Sequence, residues 1–248
     1  MSHPLIRRHF HSVAGLFTAK YLKLTKTGAQ LADTTAAIEA NLCPTERYAQ
    51  QISSAMCTGA LVGPNVILTA GHCVTSQADC NGVFVGFDYL MKGPSDSPRS
   101  LPAENVYRCR RILARDGTNL DYAFLELDRP VANRPYFQFD LTDQIDFGDR
   151  VFVIGHPIGI PLKIGDGMVR AADDDFVETD LDTFEGNSGS PVFSFKNGLI
   201  VGILVNGEED FVKHGSCRIS KKCGPKECKG EQVVRITSIL ASYYNKKP

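Results

Sequence analysis

The sequence predicts an all-β fold, sandwich or barrels, with one helix at its end. Two observations carry that expectation. From about Gln50 onward, strand-length runs rich in β-forming residues recur, with Gly, Pro, Asn or Asp close by. Many short strands at such spacing make a sandwich or barrels. Helical periodicity is scarce until the end.

The runs follow in order. They are Gly59-Ala-Leu-Val, Val66-Ile-Leu-Thr, Val83-Phe-Val-Gly-Phe and Tyr122-Ala-Phe-Leu-Glu-Leu, then Val151-Phe-Val-Ile, Pro191-Val-Phe-Ser-Phe and Leu199-Ile-Val-Gly-Ile-Leu-Val. Arg129 to Tyr136 holds two prolines and reads as a link between two halves. Near the end, apolar residues at 236, 239, 240 and 243 have helical spacing, with Thr237 a candidate N-cap. Residues 1–40 show no sustained periodicity.

Length and composition narrow the function classes. The chain has 248 residues, enough for one large domain or two fused lobes with a sizeable core. Charges sum to 27 − 28 = −1, so no global field points to nucleic acid or an anionic membrane. The longest plainly apolar run, Gly198 to Val205, is far short of the roughly 20 residues a transmembrane helix needs.

Cysteine usage points to an oxidising compartment. The eight cysteines are Cys43, Cys57, Cys73, Cys80, Cys109, Cys217, Cys223 and Cys228. An even count suggests disulfides, in a secreted or periplasmic protein. A zinc site usually shows close CxxC pairs, and this chain has none. Residues 1–32 contain no acid and carry Arg7, Arg8, Lys20, Lys23 and Lys26. Such a head reads as a pro-segment, a misplaced start or a transit peptide. An exported protein with a pro-type head, cut between about 21 and 42, is the expectation.

Three segments carry the chemistry. Cys57-Thr-Gly-Ala-Leu-Val-Gly-Pro-Asn-Val-Ile-Leu-Thr-Ala-Gly-His72-Cys73 offers an imidazole. Asn119-Leu-Asp121-Tyr-Ala-Phe-Leu-Glu-Leu offers a carboxylate at a strand start. Gly186-Asn187-Ser188-Gly189-Ser190-Pro191 offers a hydroxyl in a tight turn. A serine is a poor nucleophile unless a base takes its proton and a third group orients the base. Imidazole titrates near neutrality, so a histidine at 72 suits the base, and Asp121 suits the orienter.

Together these motifs resemble the trypsin/chymotrypsin-fold serine proteases, in their His–Asp–Ser order, from about Cys43 to the C-terminus. The nucleophile segment is similar to the bacterial glutamyl-endopeptidase-like branch. The resemblance implies two six-stranded antiparallel β-barrels. Residues 43–135 would form the first, and 136–248 the second plus the C-terminal helix. Residues 1–42 would stand outside them as an extension or pro-segment. It implies a serine endopeptidase working through an acyl-enzyme, with His72, Asp121 and Ser188 as triad. The N–H groups of Gly186 and Ser188 would form the oxyanion hole. Val205, Asn206 and Gly207 would be the strand that pairs with substrate. The family bridges Cys57 to Cys73, a loop worth on the order of 3 kcal/mol, and Cys80 would pair with Cys109. Cys43, Cys217, Cys223 and Cys228 leave three connectivities.

In relatives that cut after Arg or Lys, an aspartate six residues before the serine lies at the base of the S1 pocket. Here that residue is Asp182, with Thr183 beside it. The expected enzyme therefore cuts after Arg or Lys. The alternatives are a Glu/Asp-specific endopeptidase and a catalytically silent protein-binding relative. Asn187 stands where the digestive enzymes carry the aspartate that pairs with a new N-terminus, which puts that zymogen switch in doubt. No cofactor or metal is expected. Asp140, Asp143, Asp146 and Asp149 match no EF-hand, leaving a Ca²⁺ site a lesser reading beside solvated loops. The partners expected are protein or peptide substrates, met by a monomer.

Overall fold

The computed structural model describes residues 9–93, 96–222 and 228–245. Its early strands are β1 (Val13–Thr18), β2 (Leu22–Thr25), β3 (Gly28–Leu31), β4 (Cys57–Gly63), β5 (Val66–Ala70), β6 (Val83–Phe87), β7 (Ser100–Pro102), β8 (Val106–Asp116) and β9 (Tyr122–Leu127). Later come β10 (Arg150–Gly155), β11 (Lys163–Ala172), β12 (Phe176–Thr179), β13 (Pro191–Ser194), β14 (Ile200–Asn206), β15 (Phe211–His214), β16 (Cys217–Ser220) and β17 (Glu231–Arg235). Helix α1 is Ala36–Glu39, α2 is Gln77–Gly82 and α3 is Ile236–Asn245.

Two closed antiparallel barrels result, in the orders β1-β4-β5-β9-β8-β6 and β10-β11-β12-β17-β14-β13. Each has six strands, as the family resemblance implies. Alternation decides which side chain faces where. In β10, Val151 and Val153 join the core of the second barrel. Phe152 and Ile154 point to the opposite face and join the cluster that also holds the first barrel's core. There Phe152 stacks on Phe193 at 4.9 Å between ring centres.

The chain head departs from expectation. The described part of the head does not stand outside the first barrel: β1 lies between β4 and β6 and closes it. The reason it escapes a periodicity search is physical. Val13 to Phe17 is buried throughout, so no polar face alternates with an apolar one. A cut between 21 and 42 would separate a barrel strand from the chain it completes. The following hairpin, β2 and β3, pairs with β7 in a separate small sheet.

Disulfides tie these parts together. Cys57 is bonded to Cys73 and Cys80 to Cys109, both within the first barrel's segment. Cys43 is bonded to Cys217, joining the head to the β15–β16 hairpin. Cys228 is also disulfide-bonded, whereas Cys223 lies outside the described residues. The hairpin carries the basic residues Lys213 and Arg218.

Helix α3 returns to the first barrel, where Tyr243 packs on Phe124 at 5.0 Å and the Tyr122 hydroxyl donates to Ser242 Oγ at 3.0 Å. It starts at Ile236, so Thr237 is inside it and is not its cap. The Thr237 hydroxyl instead donates to Asp143 Oδ1 at 2.8 Å, beside the Arg235–Asp143 ion pair. Asp149 pairs with Lys196, and Asp140 accepts from Thr142 and Asn197. These carboxylates thus have protein partners.

Deleting residues 1–42 should open the first barrel and expose the edges of β4 and β6. The truncated chain is expected to lose cooperative thermal unfolding by circular dichroism and to aggregate. Melting like that of the full chain would contradict the placement of β1.

Candidate active site

His72 sits in a single 3-10 turn, Gly71–Cys73, directly after β5. Asp121 immediately precedes β9, the neighbour of β5. Pairing of those strands brings the two together. Asp121 Oδ1 accepts the His72 backbone N–H at 2.8 Å, and Oδ2 lies 2.6 Å from Nδ1. A carboxylate only accepts, so Nδ1 carries the proton and Nε2 is left as the acceptor. Asp121 holds φ = +52°, a left-handed conformation that aspartate tolerates better than most residues. The Gly71 N–H donates to the Asp121 carbonyl at 2.9 Å, and Arg115 Nε donates to the Gly71 carbonyl at 2.7 Å.

Ser188 belongs to the second barrel's segment, before β13, and lines one cleft with His72 and Asp121. The cleft has a volume of about 540 Å³. The turn before Ser188 is built on Gly186, at φ = +92°. A Cβ there would meet the His156 carbonyl at 2.6 Å, so only glycine fits. The Glu185 carbonyl accepts from the Ile158 N–H at 2.5 Å. In a trans peptide the next N–H points the opposite way, so the Gly186 N–H faces away from Ile158. Among the described residues, no backbone acceptor takes the N–H of Gly186 or of Ser188. Two unspent donors in one tight turn suit a developing oxyanion.

A residue that the sequence reading passed over holds this turn against the first barrel. Thr58, on β4, is fully buried. Its N–H donates to the Ser188 carbonyl at 2.9 Å and its hydroxyl to the Gly186 carbonyl at 3.0 Å. The same hydroxyl accepts the His156 N–H at 3.0 Å. His156 itself is buried, stacks on Tyr89 and donates from Nδ1 to the Ile160 carbonyl. Burial pushes its pKa down to about 4, so it stands behind the turn as a neutral support. Asn187 is buried, with its Oδ1 3.4 Å from the Ser190 hydroxyl.

The substrate side of the cleft differs from the sequence expectation at one point. Val205, Asn206 and Gly207 line it, as does Thr183. Asp182 does not: it is exposed, between buried Leu181 and Thr183, and borders a neighbouring hollow. The backbone alternates through these three residues, so Thr183 faces inward and Asp182 outward. Besides Asp121, the acids that line the cleft are Glu185, Glu208, Asp210 and Glu231. Burial, foremost, and the nearby Asp210 and Asp182 charges push Glu231 up to about 7. Burial, with the Glu185 and Asp182 charges adding, pushes Asp210 up to about 6. Nothing in the sequence around Glu231 marks it, because its neighbours in the cleft arrive from distant strands.

Cys57, His72 and Cys73 form a tight group of ligand-type atoms. The two sulfurs are joined to each other, so the group offers no thiolate to a metal.

Two six-stranded barrels with a His–Asp pair and a serine in one cleft define the class of chymotrypsin-fold serine peptidases. Residues 57–203, more than half of the chain, match the trypsin-like peptidase domain, and the chain belongs to that family. The glutamyl endopeptidase of Bacillus licheniformis is 32% identical over 146 residues, 55% of this chain and 45% of its own length. A probable periplasmic serine endoprotease, DegP-like, of Chlamydia trachomatis serovar D is 29% identical over 93 residues, 33% of this chain and 18% of its own. The match thus spans less than half the length of these relatives. The solved structure of a Glu endopeptidase in complex with MPD superposes with a TM-score of 0.59 at 18% identity, over 95% of this chain and 89% of that one. That likeness concerns the fold.

Two outcomes test the geometry. Thr58→Val keeps the side chain's shape but leaves the Gly186 carbonyl and His156 N–H unpaired. It should cost about 1–3 kcal/mol in urea unfolding, and an unchanged midpoint would remove the clamp. Glu231 has its pKa raised on folding. Its carboxyl therefore stabilises the native state below its ordinary range near 4.5, and that contribution is lost as pH rises through about 7. Glu231→Gln should match the wild-type melting temperature near pH 4.5 and exceed it at pH 8 by roughly 2–6 °C. Equal melting at pH 8 would contradict the burial.

Proposed function

We propose that the chain is a serine endopeptidase that hydrolyses peptide bonds through an acyl-enzyme on Ser188. The observation that carries this is the two-point seating of His72 on Asp121 in the cleft that also holds Ser188. His72 takes the Ser188 proton through Nε2 and returns it to the leaving amine. Asp121 fixes the tautomer and steadies the imidazolium. The Gly186 and Ser188 N–H groups receive the negative charge on the carbonyl oxygen. Substrate lies along Val205, Asn206 and Gly207 as an added strand.

The preferred substrate carries Arg or Lys at P1. Support comes from the four carboxylates that line the cleft besides Asp121. A Glu/Asp preference is the second reading, favoured by the similarity to a glutamyl endopeptidase. It would bring an acid into an acidic cleft, where like charges oppose binding. The substrates are proteins or peptides and the enzyme acts as a monomer. Its disulfides and the periplasmic relative favour a secreted or periplasmic site of action.

Ser188→Ala should abolish peptidase activity while melting like the wild type. His72→Ala should lower kcat to a similar degree, on the order of 10⁴-fold or more, because the triad acts as a unit. Asp121→Asn should leave a folded enzyme crippled by the wrong tautomer. A fluorophosphonate probe should label the wild type and not Ser188→Ala. Peptide turnover surviving in Ser188→Ala, or a wild type that neither turns over nor labels, would favour the silent binding relative.

A further inference from the structure

Glu231 occupies the position that Asp182 does not. It is the first residue of β17 and enters the cleft from the barrel floor. The inward-facing Thr183 hydroxyl donates to its Oε2. On the other side lies Gly207, where a Cβ would come within 2.4 Å of that same oxygen. The carboxylate therefore rests between the Thr183 segment and the 205–207 edge. Ser188 lines the same cleft. A side chain at 207 would push the carboxylate out of this position. Of the neighbouring acids, Glu208 has Lys221 at 3.5 Å. Among the described residues, neither Glu231 nor Asp210 has a basic side chain within ion-pair distance.

We propose that Glu231, and not Asp182, is the carboxylate that selects the P1 side chain, taking the guanidinium of Arg or the ammonium of Lys with Asp210 beside it. The inference rests on the endopeptidase reading of this cleft. A half-buried carboxylate held by the Thr183 hydroxyl and the Glu208 backbone N–H still has acceptor capacity left, which a guanidinium or ammonium can fill. A neutral side chain would bury the charge without a partner, and an acidic one would add a like charge.

The surroundings make this selection depend on protons. Sharing a hollow with Glu231 are Asp180 and Asp182 from the segment before Thr183, and Glu208, Glu209 and Asp210 after β14. Arg170 of β11, Lys221 after β16 and the residues leading into β17 complete the wall. The acids and the burial hold the Glu231 carboxyl up near 7. Preference for a cation at P1 should therefore strengthen from pH 6 to pH 8, as the carboxylate forms.

The experiment measures kcat/KM for matched peptides with Arg, Ala or Glu at P1, from pH 5.5 to 9. It uses wild type, Glu231→Gln, Glu231→Asp and Asp182→Asn, each checked by thermal melting. The ratio of Arg to Ala rates cancels any pH dependence that both substrates share. The wild-type ratio should rise with pH. Glu231→Gln should lower it at pH 8 by at least roughly tenfold and flatten its pH profile. Glu231→Asp should restore part of it, and Asp182→Asn should keep the wild-type ratio at pH 8, above the Glu231 titration. In parallel, benzamidine binding to Ser188→Ala protein should weaken by at least roughly tenfold when Glu231→Gln is added. An Arg preference that survives Glu231→Gln, or is lost in Asp182→Asn, overturns the assignment while leaving the endopeptidase intact. A preference for Glu at P1 also overturns it. A wild type with no turnover and no fluorophosphonate labelling fails at the earlier step, and the selection of P1 falls with it.

Discussion

The buried hydroxyl and N–H of Thr58 are what the rest of the site depends on. Each barrel supplies only part of the machinery: His72 and Asp121 come from the first, Ser188 and its turn from the second. Catalytic geometry tolerates errors of about half an ångström. Thr58 sets that register with two hydrogen bonds to the carbonyls at Gly186 and Ser188. Its chain neighbour Cys57 is bonded to Cys73, which follows His72. A short path of covalent and hydrogen bonds thus runs from the base to the nucleophile. Because Thr58 has no access to water, losing any member of this set leaves a polar group unpaired rather than resolvated.

The cleft has an electrostatic character that costs the fold something. Glu231 and Asp210 sit where burial opposes their ionised forms. A chain selected for stability alone would not keep two carboxylates there with, among the described residues, no basic side chain within ion-pair distance. Their position at the substrate side makes the strain intelligible as a binding device, since an incoming cation relieves it. Buried His156, held neutral behind the nucleophile turn, is the opposite case: its environment removes a charge so that the turn has a rigid, uncharged support.

Much of this was legible in the residues. The strand Tyr122–Leu127 and the short runs bounded by turn residues lie on strands, as expected, and His72, Asp121 and Ser188 line one cleft. What escaped did so for physical reasons. β1 was missed because a strand buried on both faces has no alternation. Thr237 reads as a cap by its type, but its hydroxyl bonds Asp143, and the helix begins one residue earlier. Asp182 has the right distance from Ser188 along the chain, yet side-chain direction depends on local backbone alternation, which spacing alone does not report. Thr58 and Glu231 carry no local signal, because their roles arise only when strands far apart in sequence close the two barrels.

The central claim is that Ser188 becomes acylated in the course of peptide hydrolysis. The direct measurement is acid quenching of the enzyme during turnover of a slow ester or peptide, followed by intact and peptide-level mass spectrometry. The account predicts an adduct of the substrate's acyl mass on the peptide containing Ser188, absent from Ser188→Ala and not accumulating in His72→Ala. Turnover with no adduct at Ser188, or an adduct on another residue, would contradict it.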